Sequence, residues 1–104
     1  MKLIELAEYL HDLGLNVMPI VCENNKKRPY LPSQKNPYEW KHLKEKRLSK
    51  KQLVDELNQT MKNQVPCFLG VIPGLIKEGK YKDKYFFAID LDSNDLNFLV
   101  HLYI

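Results

Sequence analysis

The sequence predicts a small α+β domain, a mainly antiparallel sheet with helices packed on it. Three observations lead there. Apolar residues recur at helical spacing in two stretches, near residues 2–13 and 49–61. Three runs, 15–22, 65–72 and 85–92, are rich in β-branched and aromatic residues and read as strands. The chain has 104 residues, room for one core and not two. The elements therefore share a single domain over residues 1–104, either whole or cut short of a longer unit.

Taken in order, Leu3, Leu6, Ala7, Leu10 and Leu13 define the first helix, and Gly14 is its C-terminal stop. Leu15 to Cys22 follows as a strand. Pro19 cannot donate to a ladder, which predicts an edge strand or a bulge. Residues 23–37 read as a loop. Asn36-Pro37-Tyr38-Glu39 reads as a capped helix start, with Trp40 and Leu43 on its apolar side. Ser49 and Gln52 form a second capping box, ahead of a buried stripe of Leu53, Val54, Leu57 and Met61. Val65 to Ile72 is the next strand. A loop over 73–83 carries Pro73, Gly74 and Gly79 and leads into the strand from Tyr85, so these last two strands are expected to pair as a long-looped hairpin. Ser93 can cap a final helix with Leu96, Leu99, Val100 and Tyr103 on one side. The apolar run Phe98 to Ile104 then calls for a covering surface, and a homodimer is the expected solution.

The formal net charge of +3 is mildly basic, which permits an anionic partner without demanding one. Cys22 and Cys67 lie in apolar strand-like runs and read as free thiols in a reducing compartment, although spacing leaves a disulfide open. No zinc-type spacing occurs. No apolar run approaches the roughly 20 residues of a membrane span, and Met1-Lys2 leads into an amphipathic pattern rather than a signal sequence. The expectation is a cytoplasmic protein with no membrane partner.

Chemistry concentrates at the end of the run Tyr85-Phe-Phe-Ala-Ile-Asp-Leu-Asp92. In a strand, Asp90 and Asp92 share a face with Cα atoms about 7 Å apart. With no Arg nearby in sequence the two carboxylates repel, and a divalent cation relieves that repulsion. Mg²⁺ commonly takes one or two carboxylates together with substrate phosphates. The bland alternative is a solvated strand end in which Asp92 helps Ser93 start a helix.

Several pieces in order carry a resemblance to a known family. They are the helix Leu6-Ala-Glu-Tyr-Leu10 leading to Gly14, the proline-bearing strand Val17-Met-Pro-Ile20, the basic-proline turn Lys26-Lys-Arg-Pro-Tyr30, a tryptophan helix around Trp40, the glycine-bearing strand and turn Gly70-Val-Ile-Pro-Gly74 and the acidic strand Ala88-Ile-Asp-Leu-Asp92. Across nearly its whole length the chain resembles the N-terminal part of bifunctional DNA primase/polymerase (prim-pol) domains. These belong to the archaeo-eukaryotic primase superfamily found on archaeal plasmids, viruses and related elements. The resemblance implies a role in DNA replication or priming. It implies Asp90 and Asp92 as catalytic carboxylates binding Mg²⁺ or Mn²⁺ for nucleotidyl transfer. It also implies nucleoside triphosphates and single-stranded or primer-template DNA as partners. The family's later histidine and third acid do not occur before Ile104, and His101 does not match that histidine, so the chain alone is expected to be inactive. The alternative is a non-catalytic nucleic-acid-binding or protein-interaction module of a mobile element.

Lys26, Lys27, Arg28 and Tyr30 are the candidate nucleic-acid or nucleotide contacts, against a solvated turn as the plain alternative. Lys41, Lys44, Lys46, Arg47, Lys50 and Lys51 read as a solvated helix face, with a stacking platform around Tyr38 and Trp40 as the alternative. Trp40 reads as core. His11 and His42 read as structural or surface residues, Gly70 as strand packing and Gly74 as a turn.

Overall fold

A computed structural model describes residues 2–63, 66–88 and 100–103, and it is an α+β fold. Helix α1 (Leu3–Asp12) ends at Leu13, and Gly14 follows at φ +96°, a left-handed conformation that suits only glycine. A second constraint acts at the same place. A Cβ on Gly14 would stand 1.8 Å from the carbonyl oxygen of Glu78, and one on Gly79 would stand 2.7 Å from the Gly14 nitrogen. Here the loop after residue 76 crosses the end of α1, backbone on backbone.

Strand β1 (Asn16–Glu23) turns through Asn24 and Asn25, both at positive φ (51° and 64°), into β2 (Lys26–Pro29). Two left-handed residues make the tight turn whose twist suits a hairpin, and Asn tolerates that conformation. This corrects the expected loop over 23–37: a charged strand hides in it. β1 also pairs antiparallel with β3 (Cys67–Ile72), from Asn16↔Ile72 to Val21↔Cys67, giving a sheet ordered β2-β1-β3. Pro19 thus lies in the central strand and not at an edge. The ladder with β2 explains why this is tolerated. Its last register pair is Ile20↔Pro29, and the Pro19 carbonyl then accepts from the Tyr30 N–H at 3.0 Å. The N and C=O of a strand residue point to the same side, so the missing donor falls where β2 is already ending.

Asn36 to Glu39 forms a turn and not a helix start. The Asn36 Oδ1 accepts from the Tyr38 N–H at 3.1 Å, but the Pro37 carbonyl is taken by the Leu31 N–H at 2.7 Å. The Lys41 N–H goes to the Glu39 carboxylate at 3.3 Å. The bond that would continue a helix is therefore spent on a tertiary link. Only a 3-10 turn, Lys41–Lys44, follows. Helix α2 (Lys50–Lys62) begins as expected, with both reciprocal bonds of the Ser49–Gln52 capping box formed. Its buried positions are Leu53, Glu56, Leu57 and Thr60, whereas Met61 is partly exposed. Thr60 satisfies its hydroxyl on the Glu56 carbonyl at 2.8 Å. The Glu56 carboxylate accepts from the Ser33 backbone N–H and hydroxyl, which ties the long connection to α2.

A second sheet is ordered β4-β5-β6, from β4 (Gly74–Leu75), β5 (Tyr85–Ala88) and β6 (Val100–Tyr103). Among the described residues the expected hairpin between the 65–72 strand and the Tyr85 strand does not form. β3 gives its ladder to β1, and Gly74, at φ +147°, redirects the chain so that Leu75 meets Tyr85. The expected final helix is also corrected over Val100–Tyr103, which pair with β5 from Ala88↔Val100 to Tyr85↔Tyr103. Val-His-Leu-Tyr favours an extended backbone, and pairing satisfies the groups on the second edge of β5.

Among the described residues two clusters form the core. Ala7, Leu15, Val17, Leu53, Leu57, Ile76 and Phe86 meet between the helices and one face of the first sheet. Met18, Leu31, Leu43 and Ile72 form the other, with Trp40 packed against it, so Trp40 is core-packed as its spacing suggests.

Candidate nucleic-acid interface

Lys26, Lys27 and Arg28 are exposed on β2, and Tyr30 follows at its end, half-buried. The register pairs Lys27 with Cys22 and Arg28 with Val21. Alternation then puts the two cations on opposite faces of the hairpin. Each meets an aromatic ring. The Lys27 ammonium lies 5.3 Å from the centroid of Phe68, which pairs with Ile20 on the same face. The Arg28 guanidinium lies 3.8 Å from the centroid of Tyr38. The Tyr38 ring packs at 5.6 Å, tilted, against Tyr30, and its hydroxyl donates to the Glu23 carboxylate at 3.2 Å. Partial desolvation, and then the Glu23 charge, hold the Tyr38 phenol above its usual range. The hairpin is thus a two-sided blade with a cation–aromatic pair on each side. The ion pairs among the described residues, Arg47–Glu78 and Lys50–Asp12, leave the three hairpin cations out.

Phe68 was not singled out by the sequence. The signal available was local: in Cys67-Phe68-Leu69-Gly70 alternation sends Cys67 and Leu69 to the helix-covered face and Phe68 to the other, beside a residue with no side chain. Gly70 does serve strand packing, because a Cβ there would stand 2.7 Å from Ile20.

The basic cluster of residues 41–51 divides. Lys41, Lys44, Lys46, Lys50 and Lys51 are exposed, and Lys44 covers the Trp40 ring at 5.2 Å. Arg47 is not a solvated side chain. Its Nη1 donates to the carbonyls of His11 at 2.8 Å and Leu15 at 3.1 Å, and its Nη2 pairs with Glu78 at 2.8 Å. Arg47 therefore clamps the end of α1 to the loop that crosses it. Its hydrogen bond, and then its charge, lower the Glu78 carboxyl below the usual carboxylate range. His11, buried, lies with Nε2 2.8 Å from the Leu48 carbonyl and so donates there as a structural residue, while His42 is exposed. A cavity of about 640 Å³ opens beside this clamp, with Asn16, Lys44, Arg47, Ile76 and Phe86 on its walls. Asn16 donates to the Leu43 carbonyl at 2.6 Å.

Cys22 and Cys67 are free, half-buried thiols. Cys67 opposes Val21, so Cys22 faces the opposite side of the sheet, and burial pushes the Cys67 thiol up. Asp90 and Asp92 lie outside the described residues. Among the described residues no group of three His, Cys, Asp or Glu side chains comes together as a metal site, and no helix is long and apolar enough to cross a membrane. Comparison with models of protein families, with characterised proteins and with solved structures finds no match to this chain.

Proposed function

We propose that this chain is a DNA replication module of prim-pol type, working in the cytoplasm, whose basic hairpin holds single-stranded DNA. The observation that supports this reading is the hairpin itself: Lys26, Lys27 and Arg28, unpaired with any acid among the described residues, stand beside Phe68, Tyr38 and Tyr30 on a sheet strand. Cations that track a backbone, next to rings on which bases stack, are the two parts of a single-strand site. Asp90 and Asp92, two positions apart after β5, are the carboxylates that would hold Mg²⁺ or Mn²⁺, and a donor set of paired carboxylates suits such hard cations. A metal there would neutralise charge on a nucleoside triphosphate during nucleotidyl transfer.

Salt dependence tests the hairpin. Neutralising about three phosphates gives a slope of log affinity against log salt near −2, using roughly 0.7 per contact. Replacing Lys26, Lys27 and Arg28 together with Ala should flatten it. An unchanged slope, or no binding at low salt, makes the hairpin a solvated turn. The isolated chain should show no primer synthesis, because it offers two acids and no later nucleotide-binding motif.

A second reading is a non-catalytic nucleic-acid-binding module. It is favoured by the placing of the hairpin in the β2-β1-β3 sheet, apart from the sheet that contains β5. Mn²⁺ titration followed by paramagnetic broadening separates the two. Broadening at Asp90 and Asp92, with affinity no better than about 0.1–1 mM and lost in Asp90→Asn with Asp92→Asn, supports the metal site. Broadening elsewhere leaves only the binding module.

A further inference from the structure

We infer that the Lys27–Phe68 face of the hairpin, and not the Arg28–Tyr38 face, receives the bases of single-stranded DNA, with Phe68 as the stacking residue. This rests on the reading of the hairpin as a DNA interface and assigns its working side.

The two faces differ in what their groups have already engaged. Tyr38 carries the Arg28 guanidinium at 3.8 Å, packs on Tyr30 at 5.6 Å and donates to Glu23. Its ring is occupied, and a carboxylate stands beside it to repel phosphate. That face reads as a clamp that fixes residues 30–38 to the hairpin. Phe68, on the edge strand β3, is 43% exposed. Two residues along the same face is Gly70, and the Ile20 side chain leans into the space that a Cβ on Gly70 would fill. Ile20 in turn pairs with Pro29, so an apolar row, Phe68–Ile20–Pro29, crosses the three strands. Lys27 borders that row, with its ammonium 5.3 Å from the Phe68 centroid. A stacked base and its own phosphate need this arrangement: a ring for the base and a cation within one nucleotide of it. An exposed lysine–ring contact is weaker than base stacking, so an arriving base displaces the flexible ammonium from the ring toward the phosphate.

Single strands are the occupant that this chemistry selects. Bases in a duplex are already stacked and cannot offer a face to Phe68, whereas the cations alone would attract both forms.

Anisotropy of a fluorescein-labelled oligothymidylate with the full chain tests the assignment. Phe68→Leu keeps an apolar side chain and removes the ring. Affinity should fall about fivefold to a hundredfold, the range that loss of one stacked base gives, with the salt slope unchanged. Phe68→Tyr should bind like the parent, which separates stacking from any disturbance of the fold. Lys27→Ala should reduce the slope by about 0.7. Tyr38→Leu, which removes the other face's ring, should cost less affinity than Phe68→Leu, and a duplex of equal length should be indifferent to Phe68→Leu; an equal or larger loss in Tyr38→Leu would put the bases on the Arg28 face. If Phe68→Leu binds as tightly as the parent while Lys27→Ala flattens the slope, the interface stands and the stacking role falls. If the parent shows no binding at low salt, both fall. If Phe68→Leu turns a dimer into a monomer in sedimentation, the ring is covered by a second copy and the assignment is overturned.

Discussion

Replacing Arg47 with Ala removes three interactions at one point. Two of its hydrogen bonds run from a charged donor to backbone carbonyls, those of His11 and Leu15. Bonds of this kind contribute about 1.5–3 kcal/mol each. The carbonyls border an open cavity, so water can replace part of what they lose, and the two bonds share one side chain and are not additive. The expected loss is about 2–4 kcal/mol, a large share of the roughly 5–15 kcal/mol that holds a domain of this size. The bond to Glu78 adds little, because the Glu78 side chain is 68% exposed while that of Arg47 is 19% exposed. Urea unfolding followed by circular dichroism should show the midpoint falling by about 1–2 M with the slope preserved. Arg47→Lys should rescue little, since one ammonium cannot reach both carbonyls and Glu78 as a planar fork does. Glu78→Gln should shift the midpoint only slightly. The small Glu78 contribution also has a sign in pH. Its carboxyl is lowered from 4.5, so the contribution is full above that value and is lost as pH falls below it. A loss under about 0.5 kcal/mol in Arg47→Ala would refute the clamp and return Arg47 to the solvated cluster.

Three further outcomes follow from local geometry. Ser49→Ala should cost about 1 kcal/mol in the same unfolding assay, and Ser49→Thr should recover most of it, because only the capping oxygen is at stake. Gly14→Ala should cost about 2–5 kcal/mol, from left-handed strain plus collision with the Glu78 carbonyl. Gly74→Ala, strained but with nothing within 4 Å, should cost only about 1–2 kcal/mol, and equal costs would show that the crossing does not matter. Tyr38→Phe should remove from a tyrosinate absorbance titration the phenol that ionises above 10.0, and Glu23→Gln should bring it down. The stability tied to that phenol is present below pH 10 and lost above it, and a titration curve indifferent to Glu23 would sever the link.

What could be read from the residues was what neighbours in sequence decide. The Ser49–Gln52 box, the end of α1 at Gly14 and the course of β1 each depend on a few adjacent side chains, and each is found. What could not be read depends on distant partners. β2 is Lys-Lys-Arg-Pro, with no apolar alternation to betray a strand; only Asn24-Asn25 hinted at a tight turn. Asn36 to Glu39 has a helix start's side chains, yet Leu31 claims the Pro37 carbonyl. Pro19 suggested an edge because its missing N–H could not be assigned a side until β2 was seen to end there. At the candidate site the cations Lys26, Lys27 and Arg28 with Tyr30 were legible as a group. Their rings, Phe68 and Tyr38, come from other segments, and the division of Lys27 and Arg28 between two faces needed the register. Asp90 and Asp92 remain a sequence reading, as they lie outside the described residues.

The meeting of Gly14 and Gly79 also bears on how the chain assembles. The Tyr81 N–H reaches the Leu13 carbonyl at 3.4 Å across the same crossing. Contacts between segments this far apart in sequence form late in folding, since a long loop must close before they contribute anything. Two residues without side chains leave no room for an approximate fit, so docking there is all or none. The first helix and the loop ahead of β5 therefore belong to one cooperative unit. Their amides should exchange with solvent together, while β2, at the edge of the β2-β1-β3 sheet and joined to β1 by a two-residue turn, can fray without disturbing that lock.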